Sequence, residues 1–191
     1  DEQVAELAFE HFADRGFRNL AFCGYSGAKW SDTRHRRFAA LAREAGINCD
    51  EFVPRRRRAP SRKPQTLALE MSGLIHDQEL AAWLQRLPRT TGVFAANDLR
   101  GRQLLGLCSD HNLIVPDHLS VLGVDNDELL CELTDPPLSS IEPDCERIGL
   151  SAAAALDSMM TRPRRRPADQ FIAPAGIATR KSTDVLAINE P

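Results

Sequence analysis

Apolar positions along the chain follow two rhythms that alternate. Val4, Leu7, Ala8 and Phe12, with His11 on the same face, recur at helical spacing through residues 2–15, and Gly16 follows as a stop. Asn19 to Gly24 is then a short apolar run of strand length, and Gly24 to Lys29 make a loop. Ser31 or Asp32 is expected to cap a second helix reaching about Ala45, with Phe38, Leu41 and Ala42 on its apolar face and Gly46 ending it. Ile47 to Val53 is a strand candidate. A helix is expected across Leu67–Arg86 with a break near Ser72 and Gly73. Leu80, Trp83, Leu84 and Leu87 share one face of its second part.

The clearest unit runs from Val93 to Asp127 and reads strand, helix, strand. Val93 to Ala96 is continuously apolar, as in a strand buried on both faces. Asn97 stands at an N-cap, followed by Gly101, Leu104, Leu105 and Cys108 at helical spacing, with Asn112 as the end. Val115 to Asp117 turn the chain, and Leu119 to Val124 is a second all-apolar strand. A short helical turn falls within 126–137, and Leu138 to Ile141 is strand-like. Asp144 to Met160 is a further helix, with Ile148, Ala152, Ala155, Leu156 and Met159 on one face. Phe171 to Thr179 is extended, and the tail STDVLAINEP has the look of a linker. Strands alternating with helices predict an α/β fold, a doubly wound parallel sheet with helices on both faces.

Composition narrows the class. With 191 residues, 42% hydrophobic and 27% charged, the chain suits a globular domain, and no apolar run approaches the roughly 18 residues of a membrane span. The net charge of −3 argues against a main nucleic-acid grip. Five scattered cysteines, odd in number and without a C-x-x-C pair, fit a reducing cytosol, so a cytoplasmic location is expected. The start inside a helical pattern, with no initiator Met, suggests a piece of a longer protein. PRRRRAPSRKP (Pro54–Pro64) and RPRRRP (Arg162–Pro167) read as solvated basic loops rather than nucleic-acid contacts, given the acidic balance.

Candidate chemistry gathers at strand ends. In an open parallel sheet, ligands sit beyond the carboxyl ends of the strands. Asn97 and Asp98 follow one strand and Asp125 follows the next. Asn97 reads equally as a helix cap, and Asp98 as a charge favouring the helix dipole. Asp125 reads either as a solvated edge or as a carboxylate with a partner or a use. Arg34 lies in the first turn of its helix, where a cation opposes the dipole unless it reaches a carboxylate or ligand. Trp30 can stack on an apolar sugar face or pack against its own loop; Arg36 and Arg37 read as a solvated face.

Enzyme motifs fail. GYSGAK (Gly24–Lys29) lacks the spacing and the Gly-Lys-Ser/Thr ending of a P-loop, and Ala28 replaces the last glycine of a nucleophile elbow around Ser26. No G-x-G-x-x-G occurs, and the five histidines show no metal-ligand spacing. Neither a catalytic residue, a cofactor nor a metal is expected.

Longer stretches carry a family likeness. S-D-T-R-H-R-R-F, F-A-A-N-D, I-V-P-D-H-L-S-V-L-G-V-D-N-D, D-P-P-L-S-S-I, R-I-G-L-S-A-A and T-R-K-S-T-D occur in order over nearly the whole chain. In these the chain resembles the effector-binding domain of LacI-type transcriptional regulators, a periplasmic-binding-protein-like fold. G-A-K-W, A-A-W-L-Q-R-L-P, G-V-D-N-D-E-L and R-K-S-T-D look most like the xylose-operon regulators, which carry an AraC-type DNA-binding domain C-terminal to the sugar domain.

The resemblance implies that 1–141 plus 171–183 form the C-terminal subdomain of a truncated sugar-binding domain. Residues 142–170 then belong to the N-terminal subdomain, and 184–191 lead toward a missing DNA-binding domain. It implies a small-molecule sugar effector, a pentose and first of all xylose, held by Arg34, Asn97, Asp98 and Asp125 with Trp30 as a further contact. DNA through the absent domain and a second copy in a homodimer are the implied partners, with no membrane. A periplasmic sugar-binding protein of a transporter is the alternative, and a hydrolase using Ser26 is a remote one.

Overall fold

The computed structural model describes residues 1–25, 27–52, 77–161 and 168–187. In chain order the elements are α1 (Glu2–Asp14), β1 (Asn19–Cys23), α2 (Lys29–Glu44), β2 (Asn48–Phe52), α3 (Asp77–Arg86) and β3 (Thr91–Ala95). They continue with α4 (Asp98–Asp110), β4 (Leu119–Val124), α5 (Glu128–Glu132), β5 (Ser139–Glu142), α6 (Cys145–Thr161) and β6 (Gly176–Ala178), and end on a 3-10 turn at Lys181–Thr183. The basic loops 54–64 and 162–167, the first part of the expected 67–86 helix, and Ser26 lie outside the described residues.

The strands form one sheet in the order β2-β1-β3-β4-β5-β6. All neighbours are parallel except β5 and β6, which run antiparallel. Because side chains alternate across a strand, each central strand feeds two cores. Leu20, Phe22, Phe94, Leu122 and Val124 face one side, where Val4, Ala8 and Phe12 of α1 and Phe38 and Ala42 of α2 cover them. Ala21, Cys23, Val93, Ala95 and Val121 face the other, under Leu80, Trp83 and Leu84 of α3 and Leu104, Leu105 and Cys108 of α4. That is the doubly wound α/β arrangement the alternation predicts. Gly92 of β3 makes room for Phe12, whose ring atoms lie 2.5–2.9 Å from where a Cβ would stand.

Four details depart from the expectation. The helix α2 begins at Lys29, ahead of Ser31 and Asp32, with no side-chain cap at Ala28. The Ser31 hydroxyl instead accepts the Tyr25 N–H at 3.0 Å, which ties down the loop before the helix. Arg37 is no solvated bystander: its Nε donates to Glu6 at 2.8 Å. The tail is no linker as far as 187. Ser182 and Thr183 are fully buried, Val185 and Ala187 pack on the core, and the Ala187 N–H donates to the Arg15 carbonyl. Finally, α6 has the expected apolar stripe yet buries none of its residues, leaving Ile148, Leu156 and Met159 exposed.

Candidate functional site

The chain leaves β1 outward to β2 and returns on the other side of β1 to form β3, so the strand order reverses between β1 and β3. At such a reversal, the connections leaving the two carboxyl ends diverge to opposite faces and open a crevice. Gly24 and Tyr25 follow β1 there, Ala96 and Asn97 follow β3, and Asp125 follows β4 next door.

Asn97 caps α4 at the edge of this crevice. It holds extended backbone, and its Oδ1 accepts the Arg100 N–H at 3.0 Å and the Tyr25 hydroxyl at 3.0 Å. A backbone N–H can pair only with the oxygen of a carboxamide, so the amide orientation is fixed and Nδ2 is left as the donor. Arg100, fully buried, supports this arrangement from below. Its guanidinium lies 4.2 Å from the Tyr25 ring centre, and Nη2 donates to the Gly24 carbonyl at 3.1 Å.

Arg34 reaches across from α2. Its Nη1 donates to the Ala96 carbonyl at 2.5 Å and its Nε to the Asp1 carboxylate at 3.0 Å, with the guanidinium 5.1 Å from the centre of the Trp30 ring. Burial lowers the Arg34 pKa, and the negative charges of Asp125 and Asp98 oppose that. The guanidinium thus stays charged in the field of both carboxylates. Trp30 is half-buried, between Arg34 and Tyr25, whose ring centre is 5.7 Å away.

Asp125 is exposed at the rim. Its backbone is held at φ 111°, followed by Asn126 at φ 48°, a pair of left-handed conformations that costs energy in non-glycine residues. Its N–H donates to Ile141, and the Asn126 side chain accepts from Arg180 at 3.1 Å. Desolvation by its surroundings raises the Asp125 pKa, Arg34 lowers it and Asp127 raises it.

Asp98 differs from the other three. It is 2% exposed, and both carboxylate oxygens are occupied. Oδ1 accepts the Ser140 hydroxyl at 2.6 Å; Oδ2 accepts the Asp127 N–H at 2.9 Å and the Cys131 thiol at 3.4 Å. Burial pushes its pKa up to about 6, against the pull of these hydrogen bonds.

Arg34, Asn97 and Asp125 therefore converge on the crevice: two donors and one acceptor, a set that suits hydroxyl groups, which can both accept and donate. Sequence reasoning missed Tyr25, Arg100 and Ser140. Tyr25 had a signal, since it stands just past the carboxyl end of β1, whereas Arg100 and Ser140 read as an ordinary helix charge and strand residue. Among the described residues no group of three or more His, Cys, Asp or Glu side chains is placed to hold a metal, and no helix is long and apolar enough to cross a membrane.

The profile of the periplasmic binding protein-like domain matches residues 9–183. The chain belongs to this family. Among curated members it is 30% identical over 192 residues to the xylose operon regulatory protein of Escherichia coli K12, covering 98% of this chain and 46% of that protein. The protein of the same name from Haemophilus influenzae is 28% identical, with 98% and 46% covered. The chain thus spans about half the length of these relatives, which are regulators of transcription rather than enzymes. Among solved structures, the xylose-binding transcription activator xylR superposes with a TM-score of 0.80 at 29% identity, over 100% of this chain and 48% of that one. A LacI family regulator from Arthrobacter in complex with lactose has a TM-score of 0.74 at 24% identity, over 96% and 65%, and shares the fold.

Proposed function

We propose that this chain is the ligand-sensing part of a sugar-responsive transcriptional regulator, and that its effector is a pentose, first of all xylose. The observation that carries this reading is the convergence of Arg34, Asn97 and Asp125 on the strand-order reversal. The names of the xylose relatives supply the sugar, and they favour a regulator over a transporter's binding protein. Arg34 and the Asn97 Nδ2 donate to sugar hydroxyls, Asp125 accepts from one, and Trp30 offers its ring to an apolar sugar face. A hydroxyl missing or misplaced in the wrong sugar leaves one of these groups unpaired, which gives selectivity.

The apolar side chains of α6, exposed along its length, support a second lobe of the protein packing on that helix and closing the cleft. Closure then biases DNA binding through an AraC-type domain outside these residues, a coupling of typically ~1–3 kcal/mol. Leu129 of α5 and Leu133, which caps its C-terminal end, are both exposed and support a second copy as the dimer partner. A regulator of this kind works in the cytoplasm, where its operator is.

Calorimetry on the complete regulator with a panel of pentoses and hexoses tests the reading. Xylose binds with the highest affinity, and Asp125→Ala weakens it roughly 10- to 100-fold, the worth of a hydrogen bond to a charged group. Absence of heat with every pentose, or unchanged affinity in the variant, sinks the assignment.

A further inference from the structure

The Asp98 carboxylate is spent on the protein. Three donors from two segments converge on it: Ser140 of β5, and from the other the Asp127 N–H at the start of α5 and Cys131 within α5. Ser140 also accepts the Asn126 N–H at 3.0 Å, so residues 126 and 127 both hang from the Asp98–Ser140 pair. The carboxylate reaches this place because residue 123 of β4 is a glycine: a Cβ there would collide with Asp98 Oδ1. Asp98 thus lies in a notch of the sheet directly beneath the turn that carries Asp125.

That turn needs holding. Asp125 and Asn126 both sit at positive φ, where neither gains from its local conformation, so tertiary contacts must over-determine the bend. The contacts that do so are the Asp125 N–H to Ile141, the Arg180 guanidinium on the Asn126 side chain, and the Asp98–Ser140 pair on the next two N–H groups. A carboxylate with both oxygens occupied and 2% exposure has no face left for a ligand in the crevice.

We propose that Asp98 is a positioning residue that does not touch the sugar: it fixes the 125–127 turn and so sets where the Asp125 carboxylate stands. The inference rests on Arg34, Asn97 and Asp125 forming a sugar cleft, and it removes Asp98 from the ligand contacts that the family resemblance implies. It makes Ser140 and Gly123, which carry no ligand chemistry of their own, determinants of affinity. Asp98→Asn is nearly the same shape, yet it removes the charge and one acceptor oxygen: its amide nitrogen either opposes the Asp127 N–H or faces Ser140, whose hydroxyl must then turn its proton to the Ile141 carbonyl.

The test is a double-mutant cycle by calorimetry with xylose on the complete regulator. Asp98→Asn alone lowers affinity roughly tenfold or more, whereas in an Asp125→Ala background it changes affinity by less than about twofold, because there is no longer a carboxylate to place. Losses that simply add, or an Asp98→Asn variant that binds like the parent, overturn the proposal. Ser140→Ala, which keeps the charge and removes one tether, repeats the cycle should Asp98→Asn not fold. Amide hydrogen exchange without sugar gives a reading independent of ligand: the Asn126 and Asp127 N–H groups lose protection in both variants, and retained protection overturns the tether. A parent protein that gives no heat with any sugar overturns the sugar cleft and Asp98's part in it, while the exchange still decides whether Asp98 holds the turn.

Discussion

Ser139 and Ser140 are neighbours in β5, point to opposite faces of the sheet, and enter two buried polar networks of different character. On one face the Ser139 hydroxyl donates to the Arg180 carbonyl and accepts from the Arg180 N–H and the Thr183 hydroxyl, and Thr183 in turn meets His11 Nε2 at 2.8 Å. With the Thr183 proton committed to Ser139, its oxygen accepts from His11, which fixes the Nε2–H tautomer. Every member is neutral, and the network stitches α1 to the tail. On the other face Ser140 serves a carboxylate beneath a strained turn at the mouth of the crevice. The neutral network gives cohesion at little electrostatic cost. The charged one keeps an ion out of water directly beneath the turn that carries Asp125, and buried charge is costly enough to be rare without a use.

The largest expected break between the two faces comes from Gly123→Ala. The added methyl collides with Asp98 Oδ1 and comes within 3.2 Å of Leu138, and β4 cannot move aside because it is paired on both edges. Displacing the carboxylate from its donors leaves a buried charge without compensation, a cost of roughly 3–5 kcal/mol. Urea unfolding measures that loss, and the His11 side of the sheet keeps its hydrogen-exchange protection in the fraction that stays folded.

Acid separates the networks next, because their titrating members have opposite signs. The His11 pKa is lowered to about 4 by burial first and the Arg15 charge second, so its contribution is complete above pH 6.5 and is lost as pH falls toward 4. The Asp98 pKa is raised to about 6, so its contribution is complete below about pH 4 and is lost as pH rises through 6. Between pH 6.5 and 4 the two therefore offset each other. His11→Gln keeps a donor for Thr183 and removes the titration. Relative to the parent, the variant gains about 3 kcal/mol of stability between pH 7 and pH 4, read from urea unfolding at each pH. A constant difference across that range means that His11 is not the titrating group.

The local half of this arrangement was legible in the sequence. The continuous apolar run that predicts β4 gives Leu119–Val124, the boundaries observed, and the capping preference of Asn places the start of α4. Arg34, Asn97 and Asp125 could be singled out because strand ends and helix first turns are local features. What was hidden depends on partners distant in sequence. Tyr25 reaches Asn97 from 72 positions away, Ser140 reaches Asp98 from 42, and His11 reaches Thr183 from 172. A polar tail such as STDV reads as a linker because composition cannot register that Ser182 and Thr183 find partners for every hydroxyl inside the domain. The same limit made Asp98 look like Asn97 and Asp125: all three are short polar side chains at strand ends, and their surroundings tell them apart, since both Asp98 oxygens are taken by the protein, Asn97 keeps its Nδ2 donor and Asp125 is exposed.

Thr183→Val is the smallest and most discriminating change. Valine has the shape of threonine, so the void cost is near zero and the loss is chemical: the Ser139 oxygen loses one donor and the His11 N–H loses its acceptor. Ser139 retains its bonds to Arg180, and the Arg15 side chain still donates to the Thr183 carbonyl, which the substitution leaves in place. One neutral hydrogen-bond chain broken in a buried site costs about 1–2 kcal/mol. Thermal unfolding should show that loss while xylose affinity stays within about twofold of the parent, since Arg180, which reaches the Asn126 side chain from this network, keeps its own backbone bonds to Ser139. A Thr183→Val variant that loses affinity as Ser140→Ala does would mean that the sheet transmits strain from one face to the other, and that the two serines belong to a single network after all.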